Sequence, residues 1–139
     1  MRVYIYYLGK PRYPNANRMA ADYVQRVSRY ARIEMREARA GRSDPRAKHP
    51  AARLVGLDPA GQAVDSRAFT ALVARAETEA RDLVFLIGGA DGLPGSWREP
   101  CDVLVSLSPM TLPHELARVL LAEQIYRAFA QLRGHPYPR

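Results

Sequence analysis

The chain has 139 residues, 47% of them hydrophobic, with a formal charge of +7, a size and composition that fit one domain, residues 1–139, with a modest core. No run approaches the roughly 20 apolar residues needed to cross a bilayer and no small-residue cleavage site follows the first apolar segment, so a cytoplasmic protein without a membrane partner is expected. The single cysteine, Cys101, excludes an internal disulfide framework and any cysteine-cluster metal site.

The first strand is read from the apolar run between Arg2 and Gly9, the pattern of a strand covered on both faces in a parallel sheet. Asn15 or Asn17 is expected to cap a helix whose apolar positions Met19, Ala20, Tyr23, Val24 and Val27 recur at three and four. Residues 31–38 alternate, with Ile33 and Met35 on one side and Arg32, Glu34 and Arg36 on the other, as in a half-exposed or edge strand. Residues 41–50, interrupted by Pro45 and Pro50, predict a basic loop with at most one helical turn. A short third strand over 54–58 is expected to stop at a Pro59-Ala60-Gly61 turn. Asp65 and Ser66 then cap a helix with Phe69, Leu72, Val73 and Ala76 on its apolar side. The fourth strand, 83–87, runs straight into Gly88-Gly89-Ala90-Asp91-Gly92, and the fifth, 103–107, leads through Pro109 and Pro113 into a final helix from about His114 to Arg133. Strands alternating with helices predict a parallel α/β sheet. The final helix has no clean polar stripe, with Leu116, Val119 and Leu120 on one side and Leu121, Ile125, Ala128 and Leu132 on the other, so it calls for partners on two sides. One is the sheet and the other a second subunit.

Charge and strand ends carry the functional signal. Residues 1–53 hold 13 Lys or Arg against 4 acids (+9), and residues 54–139 hold 8 against 10 (−2). A field of this sign favours a polyanion such as nucleic acid, although 19 Arg against 2 Lys also fits a GC-rich coding bias. The two strand ends opening into residues 88–92 and 107–113 are where a parallel sheet binds ligands, and Gly88 and Gly89 are expected to admit a ligand close to the backbone. On that expectation Gly88→Val would abolish ligand binding and leave the fold intact. Ala90 breaks the dinucleotide fingerprint, and no Gly-Lys-Ser or Gly-Lys-Thr marks a P-loop. His49, His114 and His135 are too scattered for a metal set, and no nucleophile elbow is present. Glu123 and Arg127, at i and i+4, form either a structural ion pair or part of a site.

The segments Phe85-Leu-Ile-Gly-Gly-Ala-Asp-Gly-Leu93, Leu107-Ser-Pro-Met-Thr-Leu-Pro-His114, Arg118-Val-Leu-Leu-Ala-Glu-Gln-Ile-Tyr-Arg-Ala-Phe129 and His135-Pro-Tyr137 together resemble the bacterial ribosomal RNA large subunit methyltransferase H family. The likeness runs the length of the chain, loosely over 1–53 and densely from residue 83. It implies an S-adenosylmethionine-dependent enzyme of the SPOUT class, an α/β parallel-sheet fold with helices on both faces and a C-terminal trefoil knot. It also implies a homodimer acting on N3 of a pseudouridine in helix 69 of 23S ribosomal RNA, in the large subunit or whole ribosome. By match to the family's motifs, Leu57, Gly88, Leu107, Ser108, Pro109, Met110, Thr111 and Leu112 form the S-adenosylmethionine pocket; His114, Glu123, Arg127, Tyr137 and Arg139 carry catalysis and substrate positioning; no metal is implied. The chain departs from the family in a short connection at 41–53, near the minimum of about a dozen residues for a parallel crossover, and in Pro138 where the family places a histidine. A non-catalytic RNA-binding domain of the same fold, or a SPOUT methyltransferase for another RNA site, remain compatible with these residues.

Overall fold

The computed structural model describes residues 1–39 and 41–137. Five strands, β1 (Arg2–Leu8), β2 (Arg32–Ala38), β3 (Arg53–Ala63), β4 (Leu83–Ile87) and β5 (Val103–Ser106), form one parallel sheet in the order β2-β1-β4-β3-β5. The order places β2 at an edge, and Arg32, Glu34 and Arg36 are exposed along it. β4, buried at all five positions, lies at the centre, which explains why its sequence is apolar without alternation.

Alternate side chains of the strands feed two cores. On one face Val3, Ile5, Val55, Phe85 and Ile87 pack against α1 (Pro14–Val27), α3 (Ser66–Thr78) and α5 (His114–Leu132). On the other, Tyr6, Leu54, Val84 and Leu86 meet Trp97, which is fully buried. That second face is covered by two four-residue helices, α2 (Pro45–Lys48) and α4 (Gly95–Arg98). The short 41–53 connection therefore yields one helical turn, and a single Arg46 fastens it. Its guanidinium donates to the Ala52 and Pro50 carbonyls (2.8 and 3.2 Å), to the Pro100 carbonyl and to Asp102 at the head of β5 (2.8 Å). Asp102 also accepts the Leu54 amide at 2.7 Å. Burial alone would raise the Asp102 carboxyl, and these donors more than reverse that, leaving its pKa lowered.

Three expectations are corrected. The first helix starts at Pro14 without a side-chain cap, because Asn17 turns to Tyr13 O and Glu115 (2.8 and 3.0 Å) and Asn15 accepts from Arg18; Met19 on this helix is 52% exposed. Pro59-Ala60-Gly61 does not end the third strand. Residues 58–61 bulge out between Leu57 and Gln62, both opposite Val105, and pairing with β5 resumes at Gln62 and continues at Ala63. The fifth strand ends at Ser106. Asp65 does cap α3, accepting the Ala68 amide at 2.8 Å, and Phe69, Val73 and Ala76 are buried on that helix. In α5, Val119 joins the buried side while Leu116 and Leu120 are 48% and 42% exposed, a bare apolar stretch on an otherwise buried helix.

Candidate active site

Parallel strands direct their carboxyl ends to one side of the sheet, and there β3, β4 and β5 open into a cleft of about 250 Å³. Leu57, Ile87 and Val105 form its floor, and the backbone of 88–90 and the loop after β5 form its walls. Of the residues expected in a cofactor pocket, Leu57, Gly88, Leu107, Ser108, Met110, Thr111 and Leu112 line this cleft; Pro109 is exposed and does not. The loop owes its shape to short-range hydrogen bonds: Ser106 Oγ donates to the Ser108 carbonyl and Ser108 Oγ accepts the Met110 amide, both at 2.9 Å. Asp58 contributes the cleft's carboxylate, paired with Arg98. Among the described residues no Lys or Arg lines the cleft.

Gly88 has a different role from the one expected. A Cβ there would overlap the Gly92 carbonyl and lie 2.5 Å from Leu93 N, so the missing side chain makes room for the loop's own return, not for a ligand. Gly89 has only ordinary contacts, with Leu8.

The expected polar set divides in two. His114, first residue of α5, lines the cleft. Glu123, Arg127 and Tyr137 assemble elsewhere. Arg127 grips Glu123 through Nη2 (2.6 Å to Oε2) and Nε (3.2 and 3.3 Å), and the Tyr137 hydroxyl donates to the same Oε2 at 2.6 Å. Tyr137 also packs on Tyr126, ring centroids 4.7 Å apart, beneath the Arg127 guanidinium. Burial, followed by the bond to Glu123, raises the Tyr137 phenol well above its ordinary value, so it is a neutral donor. Glu123 lies nine positions along α5 from His114, a rise of about 13 Å at 1.5 Å per residue, so the trio stands apart from the cleft. Arg139 lies outside the described residues. No group of three metal-ligating side chains occurs among the described residues.

Two buried charged residues escaped the sequence reading. Glu115, 2% exposed, accepts the Arg12 and Tyr13 amides (2.8 and 3.1 Å) and the Asn17 side chain (3.0 Å) through Oε1. Arg118, 1% exposed, lies 3.6 Å above the Tyr7 ring and donates to the Gly9 carbonyl at 3.4 Å. Their i, i+3 spacing inside a helix lacking a polar stripe was the available signal.

The family model described as "Predicted SPOUT methyltransferase" matches residues 1–138. The chain belongs to the SPOUT methyltransferase family. Within that family it is 58% identical to the ribosomal RNA large subunit methyltransferase H of Solibacter usitatus, over all of both chains. It is 36% identical to the protein of that name from Agrobacterium fabrum, covering 100% of this chain and 99% of the other. Solved SPOUT-type structures share the fold at low identity. A probable methylase family protein from Haemophilus influenzae superposes with a TM-score of 0.63 at 9% identity, covering 99% of this chain and 70% of that one. The SpoU methyltransferase AviRb of Streptomyces viridochromogenes, in complex with AdoMet, gives 0.51 at 16% identity, covering 96% and 59%. In this SPOUT methyltransferase the cleft lies at the strand ends, and Glu123 and Arg127 sit on the far half of α5 with Tyr137 from the tail bonded to Glu123.

Proposed function

We propose that the protein transfers a methyl group from S-adenosylmethionine to N3 of a pseudouridine in helix 69 of 23S ribosomal RNA, as a homodimer that pairs each cleft with the other subunit's Glu123, Arg127 and Tyr137. The observation that carries this reading is the division of the site: a methyl-donor cleft and a polar trio, held in one chain but about 13 Å apart along one helix, beside the bare Leu116 and Leu120 that a second subunit would cover. The names of the full-length relatives support the RNA substrate, and the knot of the SPOUT class belongs to the same proposal.

The cleft's chemistry fits the cofactor. Apolar Leu57, Ile87 and Leu112 suit an adenine, exposed backbone amides and carbonyls suit its polar edge, and a lining with no Lys or Arg among the described residues suits a sulfonium cation. The cofactor, when bound, supplies an electrophilic methyl group. The chain's own residues orient the acceptor and manage the N3 proton, which is about as acidic as a phenol. Arg127 provides a fixed cation for the developing N3 anion. Glu123 already accepts from Arg127 and Tyr137, so it holds those two donors in place and is not free to act as the base. His114 lines the cleft, and among the described residues its side chain has no hydrogen bond; it is the group placed to take the proton. Tyr137 and Arg139 present an aromatic face and a cation to the target nucleotide.

Mass mapping of ribosomal RNA from cells with and without the gene tests the reading. A single methylated pseudouridine in helix 69 should vanish with the gene and return when purified enzyme and S-adenosylmethionine are added to the deficient ribosomes. Identical maps would refute it.

A further inference from the structure

Residues 9–13 pass beside the cleft with every side chain turned to solvent, yet their backbone is fixed from inside. Glu115 Oε1 receives the Arg12 and Tyr13 amides, Asn17 bridges Glu115 and the Tyr13 carbonyl, and Arg118 reaches the Gly9 carbonyl. The anchors are a buried carboxylate and a buried guanidinium, and Glu115 Oε2 and Arg118 Nε have no hydrogen-bond partner among the described residues. Burying charge with orphaned atoms costs stability, and the side chains of this loop, all exposed, add no core burial in return. What the arrangement gains is a fixed presentation of Lys10, Arg12 and Tyr13, the last 63% exposed. The loop also adjoins the site: a Cβ on Gly9 would lie 3.7 Å from His114 Nε2, and a Cβ on Gly89 would lie 3.6 Å from Leu8 O. Pro11, between the two cations, and Pro14, after Tyr13, further limit the freedom lost on binding.

We propose that residues 9–13 are an RNA clamp, in which Tyr13 stacks on an unpaired base flanking the target and Lys10 and Arg12 hold adjacent phosphates, with Glu115 as the positioning residue of the loop. The inference rests on the RNA methyltransferase reading above. Charge supports RNA as the occupant, since the loop lies in the +9 segment of residues 1–53, and an exposed ring next to two cations is the chemistry that captures single-stranded nucleic acid. Preorganisation lets the loop bind without first paying for order.

The test uses the full-length enzyme and large ribosomal subunits from cells lacking the gene, measuring subunit affinity by co-sedimentation, KM and kcat for methyl transfer, S-adenosylmethionine affinity and the enzyme's own mass in solution. The Lys10→Ala, Arg12→Ala double variant and Tyr13→Ala should each weaken subunit affinity and raise KM at least tenfold, with cofactor affinity unchanged. The double variant should also flatten the salt dependence of binding by about two ions. Tyr13→Phe should restore the stacking. Glu115→Gln should reproduce the KM effect well below its melting temperature, where a purely structural role would leave KM alone. Variants that bind subunits within twofold of wild type overturn the clamp, as does a Tyr13→Ala enzyme that becomes monomeric, which would assign Tyr13 to the subunit contact. Wild-type enzyme that binds subunits but transfers no methyl refutes the proposed reaction, and the variants' affinities still judge the clamp.

Discussion

Gly88 separates two meanings of a glycine at a ligand cleft. Its vacant Cβ position is occupied by the Gly92 carbonyl, so even Gly88→Ala should force the 88–92 loop open. The expected result is a lowered melting temperature together with lost cofactor affinity, read by calorimetry on the same sample; a variant of wild-type stability would contradict the packing. Glu115 has a pH signature. Burial alone would raise its carboxyl, and the N–H bonds from Arg12, Tyr13 and Asn17 reverse this, so its folded pKa is depressed. Its stabilisation is therefore complete above the unfolded value of about 4.3 and disappears as pH falls through the folded value. In acid titrations Glu115→Gln should lose less stability than wild type below that point. Cys101 behaves as a small apolar residue: burial, then the neighbouring Asp102, pushes its thiol up to about 11. Alkylation in the native protein near neutral pH should consequently be slow and should accelerate on unfolding.

At the level of elements, the 41–53 connection depends on one side chain to close its carbonyls. Arg46→Ala should cost about 2 kcal/mol, the order expected when charge-assisted hydrogen bonds are removed, and thermal unfolding would read it directly. The strands and helices were legible because their apolar periodicity is local. The exceptions came from partners distant in sequence. The third strand outran its Pro59-Ala60-Gly61 stop because Gly61 lies so close to β5 that a Cβ would sit 2.7 Å from the Leu104 carbonyl; the glycine permits close approach of two strands, which a linear reading takes for a turn. Asn17 failed as a cap because its partner, Glu115, is 98 residues away. The loops after the fourth and fifth strands fall on one cleft because strand ends and their loops are contiguous in sequence, whereas Leu57 was named by the family resemblance alone. The separation of the trio from the cleft was not legible, since it depends on where the tail folds back along α5.

For the whole molecule, the bare Leu116 and Leu120 give the proposed subunit contact its test. Leu120→Glu should shift the sedimenting mass from twice 15.6 kDa toward the single chain and abolish methyl transfer, leaving the cleft's affinity for S-adenosylmethionine largely intact. Deleting residues 137–139 should do the opposite to assembly: a dimer that binds cofactor but transfers methyl at least tenfold more slowly, because Tyr137 no longer holds Glu123. Full turnover by the truncated enzyme would remove the tail from the site.

The distance between trio and cleft along α5 has a genetic consequence. If each working centre draws its cleft from one polypeptide and its trio from the other, an allele crippled in the cleft and an allele crippled in the trio will rescue one another when co-expressed. Random pairing would restore about a quarter of wild-type activity, since half the dimers are hybrids and each hybrid has one intact centre. A trio-dead allele expressed beside the normal gene should, by contrast, not poison it: every normal trio still meets an intact cleft, so working centres stay equal in number to normal chains at any dosage of the mutant.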